Sequence, residues 1–217
     1  MISAIVFDFG GVLMDWNPYY LFRRFFGDDA QETARFLAEI NFQAWNLQLD
    51  QGRVFADVIS EVKHRFPAHR ALIQAYEERW EETLAGPIQP TVEILHELRQ
   101  AGHRLYGLTN WSAETFALVR YKYEFFSWFE AIIVSGEEKL AKPDPRIFSV
   151  MLKKINRTAG ECLFVDDSPA NIQAARELGL QTIRFESPEQ LRMALIDRGL
   201  LGVQAPSTSL KRADSSP

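Results

Sequence analysis

Short, continuously apolar runs recur along the chain and alternate with segments whose apolar residues repeat at helical spacing. Continuous apolar runs are typical of strands that are buried on both faces of a parallel sheet. They predict strands at 4–7, 104–108, 131–134, 162–165 and 181–185. The helical periodicity predicts helices at 91–101, 112–126, 144–154, 168–178 and 188–198. This alternation predicts an α/β fold with a doubly wound parallel sheet and right-handed crossovers.

Residues 15–87 carry the helical pattern alone, and they are rich in large aromatic side chains. The breaks in the pattern predict four helices, at 18–26, 30–41, 51–66 and 68–84, separated near 27–28, 46–50 and Pro67. We expect these helices to form a cap over the edge of the sheet. Most of the rings should form the cap's own core, whereas Phe42, Trp45 and Asn46 are the positions expected to face a ligand.

The change of pattern near residues 15 and 87 predicts the domain organisation. Residues 1–14 and 88–202 form the α/β core, and residues 15–87 form the inserted helical cap. A chain of 217 residues is long enough for such a core with a smaller insertion. The last segment, 203–217, is rich in Ser, Ala, Pro and charged residues, so it is predicted to be disordered.

Composition narrows the classes of function. A formal net charge of -5 without a long Lys/Arg cluster argues against nucleic acid as a partner. No apolar segment is long enough to predict a membrane span, so we expect no membrane partner and take a cytoplasmic location as the default. The single cysteine, Cys162, excludes an intrachain disulfide and is expected to be a small core residue.

Polar residues follow four of the predicted strands directly or within a few positions. Asp8 follows the first strand, Thr109 and Asn110 the second, Lys142 comes shortly after the third, and Asp166 with Asp167 ends the fourth. Ligands of open α/β sheets bind beyond the carboxyl ends of the strands. We therefore expect these side chains to meet in one crevice, although an isolated Asp or Thr-Asn at such a place often only caps a turn or helix.

The chemistry of these residues predicts a metal-assisted reaction on an anionic substrate. Three carboxylates in one crevice repel each other unless a cation lies between them, and Mg²⁺ prefers such hard oxygen ligands. Thr109 and Asn110 offer a hydroxyl, an amide and backbone N–H groups to phosphoryl oxygens. Lys142 can pair with both a nucleophilic carboxylate and a transferring phosphoryl group, and Lys139 is its neighbour in sequence with the same charge.

Taken in order, the motifs resemble those of the haloacid dehalogenase-like hydrolase superfamily. The matching segments are Asp8-Phe9-Gly10-Gly11-Val12, Thr109-Asn110, Lys142-Pro143-Asp144 and Asp166-Asp167. They look most like the branch that contains sugar-1-phosphate phosphatases and the N-terminal phosphatase-like domain of soluble epoxide hydrolases. The resemblance implies Asp8 as nucleophile, Lys142 as its cationic partner, and Mg²⁺ held by Asp8, Asp166, Asp167 and the backbone carbonyl of Gly10.

The resemblance therefore implies a Mg²⁺-dependent phosphatase that hydrolyses a small phosphate monoester, for example a sugar phosphate, through an aspartyl-phosphate. Such a protein would act on a small phosphorylated metabolite as a monomer or homodimer. Gly10 departs from the pattern, because most phosphatases of the superfamily have there a second Asp that protonates the leaving group. Losing a general acid costs on the order of a hundred- to ten-thousand-fold in rate.

Two alternatives remain open at this point. A metal-independent 2-haloacid dehalogenase needs no proton for its leaving halide, so Gly10 would not impair that reaction. The Asp166-Asp167 pair argues against it, since the fourth motif of such dehalogenases resembles Ser-Ser-Asn. The second alternative is a degenerate relative that acts as a binding or regulatory module, and Gly10 is the feature that supports it.

Overall fold

The structure is a computed structural model that describes residues 1–202, so the segment predicted to be disordered, 203–217, lies outside it. In chain order the strands are β1 (Ala4–Phe7), β2 (Met14–Trp16), β3 (Leu84–Pro87), β4 (Leu105–Thr109), β5 (Ala131–Val134), β6 (Cys162–Asp166) and β7 (Gln181–Arg184). The helices are α1 (Tyr19–Phe22), α2 (Ala30–Glu39), α3 (Phe42–Asp50), α4 (Phe55–Arg65), α5 (Arg70–Glu78), α6 (Gln89–Gln100), α7 (Ala113–Val119), α8 (Ser135–Glu138), α9 (Pro145–Ile155), α10 (Pro169–Glu177) and α11 (Pro188–Ile196). No helix in this range is long and apolar enough to cross a membrane.

Five parallel strands form one sheet, as the pattern predicts, and their order is β5-β4-β1-β6-β7. Successive residues of β1 point to opposite faces: Ile5 and Phe7 pack in the core cluster that includes α6 and α11, and Ala4 and Val6 in the one that includes α9 and α10. From β1 the chain moves outward through β4 and β5, then returns to β6 on the other side. The fold is therefore α/β with a doubly wound sheet, and its strand order reverses beside β1.

The helix predicted at 112–126 is wrong in its second half. It ends as α7 at Val119, and a separate 3₁₀ turn covers Glu124–Trp128. Phe125 and Phe126 are adjacent and both buried, with ring centroids 4.3 Å apart. An α-helix would turn neighbouring side chains about 100° away from each other, so burying both rings requires a different backbone.

The break predicted at 46–50 is also wrong, because α3 runs through it. Phe42, Trp45 and Leu49 lie at helical spacing and are all buried, which holds this polar-rich segment in a helix. The helix predicted at 51–66 begins later, at Phe55, because the turn at Gly52 comes first. Gly52 has φ +82°, and a Cβ there would lie 2.4 Å from the carbonyl oxygen of Gly136 in α8.

An antiparallel ribbon of β2 and β3, which the sequence does not predict, pairs the two ends of the helical segment. It replaces the end of the helix predicted at 68–84, which the structure divides into α5, a 3₁₀ turn over Trp80–Thr83 and β3. In the chain between the two strands, rings such as Phe22, Phe42 and Tyr76 contact one another, and they belong to the same hydrophobic cluster as Ile5 and Phe7 of β1. The division of the chain at residues 15 and 87 stays a prediction.

One close contact anchors the residue that follows Asp8. The buried ring of Phe9 packs on Phe116, Phe126 and Phe129 and also covers Gly107 in the middle of β4. A Cβ at Gly107 would lie 2.4 Å from the Cζ atom of Phe9. The glycine therefore makes room for the ring, and the ring in turn fixes the backbone beside Asp8.

We expect Gly107→Ala to lower the free energy of unfolding by roughly 1–3 kcal/mol, because the new methyl group overpacks the core against Phe9. The matched control is Gly160→Ala, at an exposed position where a Cβ meets nothing within 4 Å. Its effect should stay within about 0.5 kcal/mol. Urea denaturation of both variants measures the difference, and equal stabilities would contradict the packing argument.

Candidate active site

The four segments that the sequence singled out meet at the carboxyl edge of the sheet. Asp8 follows β1, Thr109 ends β4 and Asp166 ends β6. Lys142 lies in the loop between α8 and α9, and its backbone N–H donates to Asn110 Oδ1 at 2.8 Å. The expected convergence of Asp8, Thr109, Lys142 and Asp166 is therefore what the fold produces.

The buried ammonium of Lys142 lies at the centre of this group. Its Nζ is 2.9 Å from Asp8 Oδ1 and 2.7 Å from Asp166 Oδ2, and it donates to the carbonyl oxygen of Leu108 at 2.8 Å. These three partners use all three N–H donors of the ammonium. Burial alone lowers the pKa of Lys142, but the Asp166 and Asp8 carboxylates hold that pKa above its ordinary value.

Lys139, the competing lysine, lies elsewhere. It follows α8 with φ +57°, and its Cγ packs near Gly52 in the helical insertion. Asp15, a further acid near the first motif, accepts from the hydroxyl of Tyr20 at 2.8 Å. Cys162 is buried in β6, where burial raises the pKa of its thiol to about 11, in keeping with a core residue.

Asp8 is held on one oxygen and open on the other. Its Oδ1 accepts from the N–H of Phe9 at 2.7 Å and from Lys142, whereas Oδ2 has no hydrogen-bond partner within residues 1–202. Burial raises the pKa of Asp8 to about 8, an effect that Lys142 opposes and that Asp166 and Asp167 reinforce. The nucleophile candidate therefore needs more positive charge than Lys142 alone supplies to stay ionised near neutrality.

The other two acids differ in their surroundings. The buried Asp166 accepts from the N–H of Ser168 at 2.8 Å and from the amide of Asn171 at 3.0 and 3.1 Å, in addition to Lys142. Asp167 is exposed, and its Oδ2 would lie 2.7 Å from a Cβ at Gly11. Gly11 has φ +74°, so the second glycine of the motif both makes the turn and lets Asp167 approach.

These carboxylates form a donor set that suits a divalent cation. One oxygen each from Asp8, Asp166 and Asp167 lie within 4.8 Å of one another. The carbonyl oxygen of Gly10 accepts no hydrogen bond within residues 1–202. Hard oxygen ligands of this kind fit Mg²⁺, which needs only one or two carboxylates and completes its shell with water and substrate oxygens.

Thr109 and Asn110 have different contacts. The Thr109 hydroxyl is buried and has no hydrogen-bond partner among residues 1–202. This hydroxyl is therefore free to donate and to accept a hydrogen bond at the edge of the sheet. Asn110 uses both ends of its amide on the backbone of Lys142, accepting from its N–H and donating to its carbonyl oxygen at 2.9 Å. Asn110 therefore orients Lys142, and the predicted phosphate-binding role of both residues stays a prediction.

A pocket with an empty volume of about 460 Å³ opens between the sheet edge and the helical insertion. Its lining residues are Gly10, Trp16, Asn46, Leu49, Asp50, Phe55, Tyr76, Trp80, Asn110, Trp111, Ser112 and Thr115. Of the three positions expected to face a ligand, Asn46 lines this pocket, whereas Phe42 and Trp45 are buried among the rings of the insertion.

Asp50 supplies the carboxyl group among the residues that line this pocket, and it was not predicted from the sequence. Burial raises its pKa to about 7, and the charge of Lys142 opposes that shift. It accepts from Asn46 at 3.3 Å, and the spacing of these two residues by four positions is a helical signal. The prediction of a break at 46–50 hid that signal. Asn171, which contacts Asp166 from the first turn of α10, was not predicted either.

Comparison with known proteins defines the class. A family model described as a haloacid dehalogenase-like hydrolase matches residues 2–179. The chain thus belongs to the haloacid dehalogenase-like hydrolases, as its motifs indicate, and the family assignment makes it an enzyme of the hydrolase class.

Two individual relatives share less than a third of the aligned residues with this chain. The chain is 29% identical over 182 residues to the sesquiterpene phosphatase astK of Aspergillus oryzae, covering 82% of this chain and 87% of that protein. It is 25% identical over 202 residues to the D-ribitol-5-phosphate phosphatase of Bacteroides thetaiotaomicron, covering 90% and 97%. A HAD family enzyme from the same bacterium, solved with magnesium and inorganic phosphate, shares the fold with a TM-score of 0.67 at 24% identity, covering 88% of this chain and 99% of that one.

We expect Thr109→Val to leave the free energy of unfolding unchanged or to raise it by about 1 kcal/mol, because the substitution removes a buried hydroxyl that has no partner. The same substitution should weaken the binding of inorganic phosphate. Thr83→Val is the matched control, since the buried Thr83 hydroxyl donates to the carbonyl oxygen of Trp80 at 2.7 Å. Thr83→Val should lower the free energy of unfolding by about 1 kcal/mol and leave the affinity for phosphate unchanged. Denaturation measures the first quantity and calorimetry the second. A destabilised Thr109→Val with unchanged affinity would argue against a ligand role.

Proposed function

We propose that the protein is a Mg²⁺-dependent phosphatase that hydrolyses a small phosphate monoester through an aspartyl-phosphate at Asp8. The observation that carries the proposal is the position of Asp8, which is paired with a buried lysine beside two further carboxylates. The phosphatase names of the relatives, which include one for D-ribitol 5-phosphate and one for a sesquiterpene, support the same reaction class.

The residues of the site have complementary roles in this reaction. Asp8 attacks phosphorus through Oδ2, the oxygen without a hydrogen-bond partner within residues 1–202, while Lys142 and the N–H of Phe9 hold Oδ1 in place. Lys142 also faces the phosphoryl oxygens as a fixed positive charge, and Asn110 keeps its backbone in position. The Thr109 hydroxyl donates to a phosphoryl oxygen.

Asp8, Asp166, Asp167 and the Gly10 carbonyl would hold the metal ion. When bound, Mg²⁺ neutralises charge between the carboxylate and the doubly charged phosphate monoester and stabilises the charge of the transferring group. Asn171 and the N–H of Ser168 orient the Asp166 carboxylate, because both donate to it.

The helical insertion acts as the cap that receives the leaving group. The pocket between it and the sheet edge has large rings on its walls, with a few polar groups such as Asn46 and Ser112. Rings of this kind pack against an apolar chain or against the apolar face of a sugar, so both classes of small phosphorylated metabolite belong in a substrate test. The cytoplasmic location and the monomeric or homodimeric state stay expectations.

The site favours this reaction over the 2-haloacid dehalogenase alternative. A 2-haloacid is itself an anion, and the three carboxylates of Asp8, Asp166 and Asp167 repel it unless a cation is bound. A phosphate monoester brings oxygens that can share that cation. The alternative of a degenerate binding module retains only Gly10 in its favour, because Asp8, Lys142, Asp166 and Asp167 lie together at the edge of the sheet.

We expect metal-dependent hydrolysis in a panel of sugar phosphates and of alkyl and aryl phosphates. Asp8→Asn should lower turnover by about 10⁴-fold or more, since it removes the nucleophile. EDTA should abolish turnover, and Mg²⁺ should restore it. Chloride release from 2-chloropropionate in EDTA, without phosphate release in Mg²⁺, would contradict the proposed phosphatase function and indicate a dehalogenase.

Metal binding can be tested without turnover. At a Mg²⁺ concentration a hundred times the dissociation constant, the folded state should gain about 2.7 kcal/mol. Asp167→Asn should reduce this gain, because it removes the exposed carboxylate of the cluster. Asp144→Asn is the control, since Asp144 lies near Lys142 in sequence but pairs with Arg146. Thermal unfolding with and without Mg²⁺ measures the gain, and equal gains in both variants would contradict the assigned ligand.

A further inference from the structure

The proposed reaction needs a proton for the leaving oxygen, and the glycine two positions after Asp8 offers none. A Cβ at Gly10 would meet nothing within 4 Å, so the space beside this residue is open. Gly10 lines the same pocket as Asp50, which reaches it from the end of α3. Among the residues of 1–202 that line the pocket, Asp50 is the sole carboxyl group.

Two neighbours orient this carboxyl group. The hydroxyl of Tyr76 donates to Asn46 Oδ1 at 3.0 Å, which turns the amide so that Asn46 Nδ2 donates to Asp50 Oδ2 at 3.3 Å. Within residues 1–202, Asn46 is the sole hydrogen-bond partner of the Asp50 carboxyl group, so its Oδ1 remains unpartnered. An acid that accepts on one oxygen and is open on the other can carry a proton to a ligand in the pocket.

We propose that Asp50 is the general acid and base of the reaction, supplied by the helical insertion where the sheet edge has Gly10. The inference rests on the proposed phosphatase function. As the bond between Asp8 and phosphorus forms and the ester P–O bond breaks, Asp50 gives its proton to the departing oxygen, which leaves as the alcohol. The Asp50 carboxylate then takes a proton from the water that attacks the aspartyl-phosphate, which releases phosphate and restores Asp8.

The electrostatics of the pocket agree with this role. Burial raises the pKa of Asp50 to about 7, so the group holds and releases a proton near neutrality. Lys142 is the charged group whose field opposes the shift, and Tyr76 is the titratable neighbour on α5. Proximity to Asp50 and burial together raise the pKa of Tyr76, which therefore stays a neutral donor. The helix α8, which packs on α3, carries Glu137, Glu138 and Lys139, but none of these three side chains shifts the pKa of Asp50.

The dependence on the leaving group separates a proton donor from a structural residue. In the Mg²⁺-loaded enzyme, Asp50→Asn should lower kcat/KM for an alkyl or sugar phosphate by about 10²–10⁴-fold. For an aryl phosphate with an acidic phenol it should change kcat/KM less than about tenfold, because that group leaves without a proton. Asp57→Asn, an exposed acid on the neighbouring helix α4, is the control and should alter neither value.

The pH profile and a rescue variant supply two further readouts. The protonated acid is lost as pH rises through about 7, so kcat/KM for the alkyl phosphate should fall above that pH, and Asp50→Asn should lack that limb. Gly10→Asp placed in Asp50→Asn should recover part of the lost rate, because the space beside Gly10 is open to a side chain. Circular dichroism and thermal unfolding establish that each variant is folded.

The outcomes separate this inference from the proposed function. Equal losses on alkyl and aryl phosphates in a folded Asp50→Asn, or a retained pH limb, would overturn the role of Asp50 and leave the phosphatase standing. Absence of Asp8-dependent hydrolysis in the wild-type protein would overturn both. A selective loss on the alkyl phosphate, together with rescue at Gly10, is the result we expect.

Discussion

The buried ammonium of Lys142 is the constraint on which the site depends. Moving a lysine and two carboxylates out of water is costly, and only close pairing with complete hydrogen bonding offsets that cost. Here Asp8 and Asp166 supply the charges, and Leu108 supplies the third acceptor. Because these partners come from β1, β6 and β4, the same contacts that hold Lys142 also fix three strand ends relative to one another.

Apolar packing beside Asp8 also holds this residue in place. Phe9 turns into the core directly after Asp8, the proposed nucleophile, and covers Gly107, while Gly11 makes the tight turn that brings the chain past Asp167. Each glycine is needed because a side chain would displace a group of the site or its support. Rigid contacts on both sides of Asp8 therefore fix its position, as a reacting group requires.

The sequence predicts the sheet and the sheet edge of the site well because both depend on local patterns. A continuous apolar run indicates a buried strand, and a polar residue at its end lies at the edge where ligands bind, which is how Asp8 and Asp166 were found. The ribbon of β2 and β3 was not predicted, since its pairing joins distant segments and includes Gly86 and Pro87. Asp50 was missed for a related reason: tertiary burial of Phe42, Trp45 and Leu49 continues the helix through the polar residues near its end.

The proposed reaction needs two acids in opposite protonation states, Asp8 ionised and Asp50 protonated, and burial alone does not provide this. Burial raises the pKa of both, to about 8 for Asp8 and about 7 for Asp50, so it favours the protonated form of each. A divalent cation held by Asp8, Asp166 and Asp167 would favour the ionised form of Asp8 directly, whereas Asp50 is not part of the carboxylate cluster. Asp8 would then be ionised for attack while Asp50 keeps its proton.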